Sequence, residues 1–179
     1  MKLEEESYLY RASTEVTFMS IKKIAILSIF VSCALSVNYL ESFVALPIPC
    51  VRLGMSNIFS LTALLLFGVN EAIFVICARL LFIYIFTGNV LAISCSIVGS
   101  ISSLLAEQIL YSYIKINSPI LISLLGAFFF NIGQLIVVYI LINSSKVFCV
   151  APLIFIIGIP TGAIVGFFTS KLLNICRRL

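Results

Sequence analysis

Long apolar stretches separated by short polar breaks make up most of this chain. Charge-free runs cover residues 24–40, 53–70, 80–106, 116–145 and 147–170. Several reach the roughly 18–20 residues with which a helix spans a hydrocarbon core. Backbone amides in lipid must be bonded internally, so such runs form helices or a closed barrel. Barrel strands would alternate apolar and polar residues over about 10 positions. Ile73-Phe-Val-Ile-Cys77 and Ala151-Pro-Leu-Ile-Phe-Ile-Ile157 do not alternate. The pattern predicts an all-α integral membrane bundle of six transmembrane helices.

The breaks set the boundaries. Span 1 covers about Ile24–Leu40, and a Pro-kinked segment, 41–54, follows it. Span 2 covers about Met55–Phe67, and Gly68-Val-Asn-Glu71 turns into span 3, about Ala72–Phe86. Thr87-Gly-Asn89 leads to span 4, about Val90–Tyr113. Lys115-Ile-Asn-Ser-Pro119 leads to span 5, about Ile120–Ile142, with proline suited to a helix start. Asn143-Ser-Ser-Lys146 leads to span 6, about Val150–Leu173. Residues 1–21 form a polar cytoplasmic segment and residues 22–179 the membrane domain. The first segment is too short to bury a core, so it is flexible or an amphipathic surface helix. Lys22-Lys23 anchors a retained helix, against a cleaved signal peptide. Spans 2 and 3 are short, at roughly 13–15 residues. A re-entrant hairpin there, leaving four full spans, is the alternative. In carriers, short or interrupted spans often mark the substrate site.

Composition supports lipid as the solvent. Of 179 residues, 62% are hydrophobic and 10% charged, against about 25% charged in a soluble domain. Lysine and arginine set the orientation. Lys2, Arg11, Lys22, Lys23, Lys115, Lys171, Arg177 and Arg178 fall on the side of the termini, and Arg52 and Lys146 on the other. That asymmetry places both termini in the cytoplasm, in the cell (plasma) membrane. The chain has no histidine, aspartate or tryptophan. Most general-base and metal-ligand chemistry is thereby removed, and neither a catalytic residue nor a cofactor is expected. Six cysteines lack a Cys-x-x-Cys pair, so no zinc or iron–sulfur site is expected. Cys50 and Cys149 share the outer face, where a disulfide between them is open. There is no phosphate-binding Gly-x-x-x-x-Gly-Lys-Ser/Thr loop, so coupling to ATP would come from another chain. The partners expected are lipid and a small ligand, with no nucleic acid.

A few polar groups in the spans carry the functional candidates. Arg79 lies near the middle of span 3, where burying it costs about 2.5–3.5 kcal/mol on the insertion scale. An acid, carbonyl groups, water or an anionic ligand would offset that cost; the acid would be Glu107 or Glu71 in an internal ion pair. Asn131 and Gln134 are three residues apart and share a face of span 5. They either join helices or line a polar cavity with Arg79 and Asn57. Glu41 ends span 1 and Arg52 precedes span 2, so a pair between them would brace the loop; the alternative is two solvated charges. Ser28, Ser32 and Ser36 make a small-residue seam on span 1, and Gly158, Gly162 and Gly166 another on span 6 around Pro160. Such seams let a helix approach closely, from this chain or from a membrane partner.

One set of motifs resembles a small bacterial membrane family. The set is Leu40-Glu41-Ser42, Leu46-Pro-Ile-Pro49, Val51-Arg-Leu-Gly54, Ser56-Asn-Ile58, Phe67-Gly68 with Glu71-Ala72, Arg79, and Asn131-Ile-Gly-Gln134. In order and spacing it is similar to proteins labelled heptaprenyl diphosphate synthase component I or Gx transporter family. That family is similar in turn to the substrate-binding S components of energy-coupling factor transporters. The resemblance implies six helices, cytoplasmic termini, a transmembrane partner and ATPase subunits on other chains. It makes 41–57 a lid over a substrate site and gives Ser28, Ser32 and Ser36 the place of the partner-facing seam. Prenyl elongation holds its diphosphate through magnesium on Asp-rich motifs, and this chain has no aspartate. Three functions follow: uptake of a small solute, a non-catalytic accessory of polyprenyl diphosphate synthesis, or a structural subunit without ligand.

Overall fold

The computed structural model describes residues 2–41, 52–143, 147 and 149–178, with the backbone alone for 2–20 and 142. Among these residues the chain is all-helical. Six helices follow in order: α1 Lys2–Glu41, α2 Asn57–Leu66, α3 Val69–Thr87, α4 Val90–Ser112, α5 Pro119–Ile142 and α6 Ala151–Cys176. Five have the length and hydropathy to cross a membrane, and α2 is the short one. Outward-facing side chains such as Phe86, Ile140, Ile156 and Ile159 are exposed on the bundle surface. In water that apolar shell would drive association; in lipid it is the solvated face. The protein is a membrane-embedded helical bundle.

Two boundaries differ from the sequence expectation. The polar start of the chain is continuous with span 1, because α1 runs unbroken from Lys2. Span 3 is longer than its apolar run suggested. Gly68, at φ +113°, takes the turn almost alone. Asn70 and Glu71 then enter the first turn of α3, where an acid suits the helix dipole. α3 is therefore a full span of 19 residues. Of the proposed re-entrant pair, only α2 is too short to cross. The Leu46–Pro49 cap, Lys146 and the Cys50 half of the proposed disulfide lie outside the described residues.

Helices α4, α5 and α6 pack closely because small residues sit at their crossings. A Cβ on Gly133 of α5 would come within 3.0 Å of Gly99 Cα of α4, and one on Gly166 of α6 within 2.5 Å of Ile120 Cα of α5. The glycine seam of span 6 thus meets the chain's own helix. The serine seam of span 1 does not. Ser28, Ser32 and Ser36 are all exposed, and each hydroxyl donates to the carbonyl four residues back. α1 turns its other face inward, with Leu27, Phe30, Val31 and Ala34 in the core shared with α2 and α3.

Two contacts set the relative direction of α1 and α3. Lys23 Nζ lies 2.5 Å from Glu71 Oε1 at the start of α3, and Leu35 and Tyr39 line a cleft with Ile83 and Phe86 near its end, so the span Ile21–Glu41 runs parallel to α3. The segment between them must travel back. α2 supplies only the last part of that return, about 15 Å at 1.5 Å per residue, half of a hydrocarbon core of about 30 Å. Arg79 lies about 12 Å along α3 from Glu71 on the same rise. The N-terminus of α2 and Arg79 therefore meet at mid-depth.

Candidate functional site

The broken span organises the polar interior. Non-helical backbone at membrane depth is tolerated only where protein or a cavity satisfies it. The backbone of residues 52–56 takes hydrogen bonds from side chains of two helices. Gln134 of α5, fully buried, brackets Arg52: its Oε1 accepts from Arg52 N at 3.1 Å and its Nε2 donates to Arg52 O at 3.2 Å. Glu41 of α1 accepts from Ser56 N at 3.1 Å. Gly54, at φ +79°, packs against the ring of Phe130. Gly54→Ala would place a Cβ 3.0 Å from that ring in a left-handed backbone. A loss of about 1–3 kcal/mol is expected, read as an unfolding shift in detergent.

Arg79 is the hub. Its guanidinium donates to Ser56 Oγ at 2.5 Å, to Asn57 Oδ1 at 3.1 Å and to Ser100 Oγ at 2.8 Å. Only 2% of the residue is exposed. Neither acid expected to pair with it does so. Glu71 holds Lys23, and Glu107 accepts from Ser103 Oγ at 2.8 Å. The Ser56 hydroxyl and Asn57 amide at the start of α2, with the Ser100 hydroxyl of α4, take the place of a counter-ion. The acid whose field acts most strongly on Arg79 is Glu41. Two buried polar atoms here have no hydrogen-bond partner: Arg79 Nε, a donor, and Glu41 Oε2, an acceptor. Both belong to side chains that hold Ser56.

Arg52 sits at the outer edge of this network. Its guanidinium donates to Asn38 Oδ1, and Asn38 Nδ2 donates to Ser56 Oγ at 3.3 Å. No ion pair joins Arg52 to Glu41, so the expected loop brace is built through Asn38 instead. Asn38 and Arg52 also form the polar wall of a cleft of about 470 Å³ between α1 and α3. The rest of its lining is mostly apolar, from Leu35, Tyr39, Ile83 and Phe86, with Ser36 and Thr87.

The structure thus joins five of the six expected site residues: Arg79, Asn57, Glu41, Arg52 and Gln134. Asn131 stands apart from Arg79. Its Nδ2 reaches Ile154 O of α6 at 3.4 Å, a bond between helices. Three partners were not anticipated: Asn38, Ser56 and Ser100. Ser100 had a signal in the sequence, since Ser96, Ser100, Ser103 and Glu107 recur at helical spacing on α4 and all four are buried.

No group of three or more His, Cys, Asp or Glu that could hold a metal occurs among the described residues. The family model for heptaprenyl diphosphate synthase component I matches residues 30–172. The chain belongs to that family. The match runs from α1 into α6 and so contains the whole Arg79 network. No curated protein and no solved structure matches the chain.

Proposed function

We propose that the chain is the membrane-embedded binding and translocating component for a small polar or anionic solute, of the type of energy-coupling factor S components. One observation carries the reading: the broken span opens its helix N-terminus at mid-depth against Arg79, with Arg79 Nε and Glu41 Oε2 left unbonded. Discontinuous helices whose N-termini face an anionic group are the recurring way carriers hold substrate. Arg79 and the N-terminus of α2 supply positive potential, and Glu41 supplies an acceptor for a donor on the same ligand. Arg52 and Gln134 tie down the backbone that covers the site. On this reading the exposed Ser28, Ser32 and Ser36 face the transmembrane partner, ATPase subunits complete the complex, and both termini are cytoplasmic.

A second reading rests on the family's name and on the cleft between α1 and α3. Apolar walls ending at Arg52 and Asn38 suit a long-chain lipid with an anionic head. The chain would then be a non-catalytic accessory that presents a prenyl diphosphate to a second synthase component. Purification from its own membranes in mild detergent, with mass spectrometry of bound proteins and small molecules, separates the two. An ATPase-containing complex with a bound polar solute is the expected result. Recovery of a prenyl synthase subunit and prenyl lipid, with no ATPase, would overturn the first reading in favour of the second.

A further inference from the structure

Glu107 is a buried acid that the Arg79 network leaves over. It is 3% exposed, on α4 where that helix packs against α5. Oε1 accepts from Ser103 Oγ at 2.8 Å. The bundle makes room for this carboxylate: a Cβ on Gly126 of α5 would collide with it. Beside it lies a void of about 10 Å³, lined by Gly54, Asn57, Glu107, Ser123 and Thr161 among others. That is the space of about one water-sized sphere.

The lining is rich in acceptors. Ser123 donates its hydroxyl proton to Gly162 O at 2.8 Å, and Thr161 donates to Gly158 O at 3.0 Å. Their lone pairs remain for whatever fills the void. Gly54 brings non-helical backbone to the same place. Among the described residues the charged group whose field reaches Glu107 is Arg79, and its guanidinium is bonded to Ser56, Asn57 and Ser100. The lining residues from α5 and α6 are neutral.

We propose that this void binds one small monovalent cation, of the size of Na⁺, on Glu107 with Ser123 and Thr161. Hard cations take oxygen ligands of this kind. One carboxylate compensates one positive charge, which disfavours a divalent ion. Na⁺, the smaller ion, approaches a carboxylate more closely than K⁺ and is attracted more strongly, which disfavours K⁺. Asn57 lines the void and also accepts from Arg79, so occupancy would stiffen the start of α2. The inference does not depend on which ligand the Arg79 site takes.

The test is thermal unfolding of the full chain in detergent, in NaCl, KCl and choline chloride at equal ionic strength, repeated across pH. Wild type is expected to melt about 3 °C higher in about 100 mM NaCl than in the other two salts. Glu107→Gln is expected to abolish the difference. Ser123→Ala, which keeps the carboxylate, is expected to raise the Na⁺ concentration needed about tenfold, so the test stands if Glu107→Gln fails to fold. Equal midpoints in the three salts for wild type would overturn the proposal, as would an undiminished Na⁺ effect in Glu107→Gln. A midpoint that moves with pH and ignores Na⁺ would assign the position to a proton and also overturn it.

Discussion

Replacing Arg79 with alanine is expected to destabilise the bundle by about 3–5 kcal/mol. The substitution removes three hydrogen bonds at once and leaves Glu41 buried with no cation in its field but Arg52. It also takes away the costly charge itself, worth about 2.5–3.5 kcal/mol on the insertion scale. The net sign follows from what stays behind. Ser100 can turn its hydroxyl to a backbone carbonyl of its own helix, as Ser96 does. Asn57 Oδ1 and Glu41 have no such retreat. Arg79→Lys separates charge from geometry. A lysine keeps the positive potential but places one ammonium where the guanidinium reaches α2 and α4 together. It should recover part of the stability and little of the ligand binding. Denaturation titration in bicelles, with binding measured on the same samples, checks both. Arg79→Ala within about 0.5 kcal/mol of wild type would mean that the network does not hold the bundle together.

The same residue shows what the sequence could reveal. An arginine between two apolar runs announces itself, because lipid has no partner to offer it. Its partners are harder to infer. The sequence made Glu107 and Glu71 the obvious counter-ions, since opposite charges attract at long range. The fold instead brings Ser56 and Asn57 to it, because α2 begins at mid-depth. That depth follows from the Lys23–Glu71 pair and from Gly68 turning the chain in a single residue, neither of which hydropathy reports. Asn131 and Gln134 illustrate the other limit. They lie on adjacent positions of one helix face, yet Asn131 reaches α6 and Gln134 reaches Arg52. Spacing assigns a face; only packing says which neighbour that face meets.

The half-length of α2 links the structural and functional sides of the molecule. A full helix in its place would satisfy its own backbone and need no help from Glu41 or Gln134. Stopping it at Asn57 exposes amide groups at mid-depth, and the surrounding helices carry buried polar side chains to meet them. These are expensive groups to bury. Among the described residues, Glu41 Oε2 and Arg79 Nε are the two buried side-chain atoms without a hydrogen-bond partner.

Gln134→Met is expected to cost about 2–4 kcal/mol, the second-largest effect after Arg79. Methionine matches the length of glutamine and fills the same fully buried space, so the cavity term is small. What it removes is the pair of bonds to Arg52 N and O. Both backbone groups would be left at membrane depth without a partner, and the residue they anchor also places a guanidinium on Asn38. The backbone near Arg52 should loosen, so the amides of residues 52–56 should lose hydrogen-exchange protection more than those of α4 or α5. Gln134→Glu provides the control. Its carboxylate can still accept from Arg52 N but, when ionised, cannot donate to Arg52 O, so one of the two bonds is kept. If Gln134→Met left exchange at 52–56 unchanged, the glutamine would be filling space between helices and not holding the broken span.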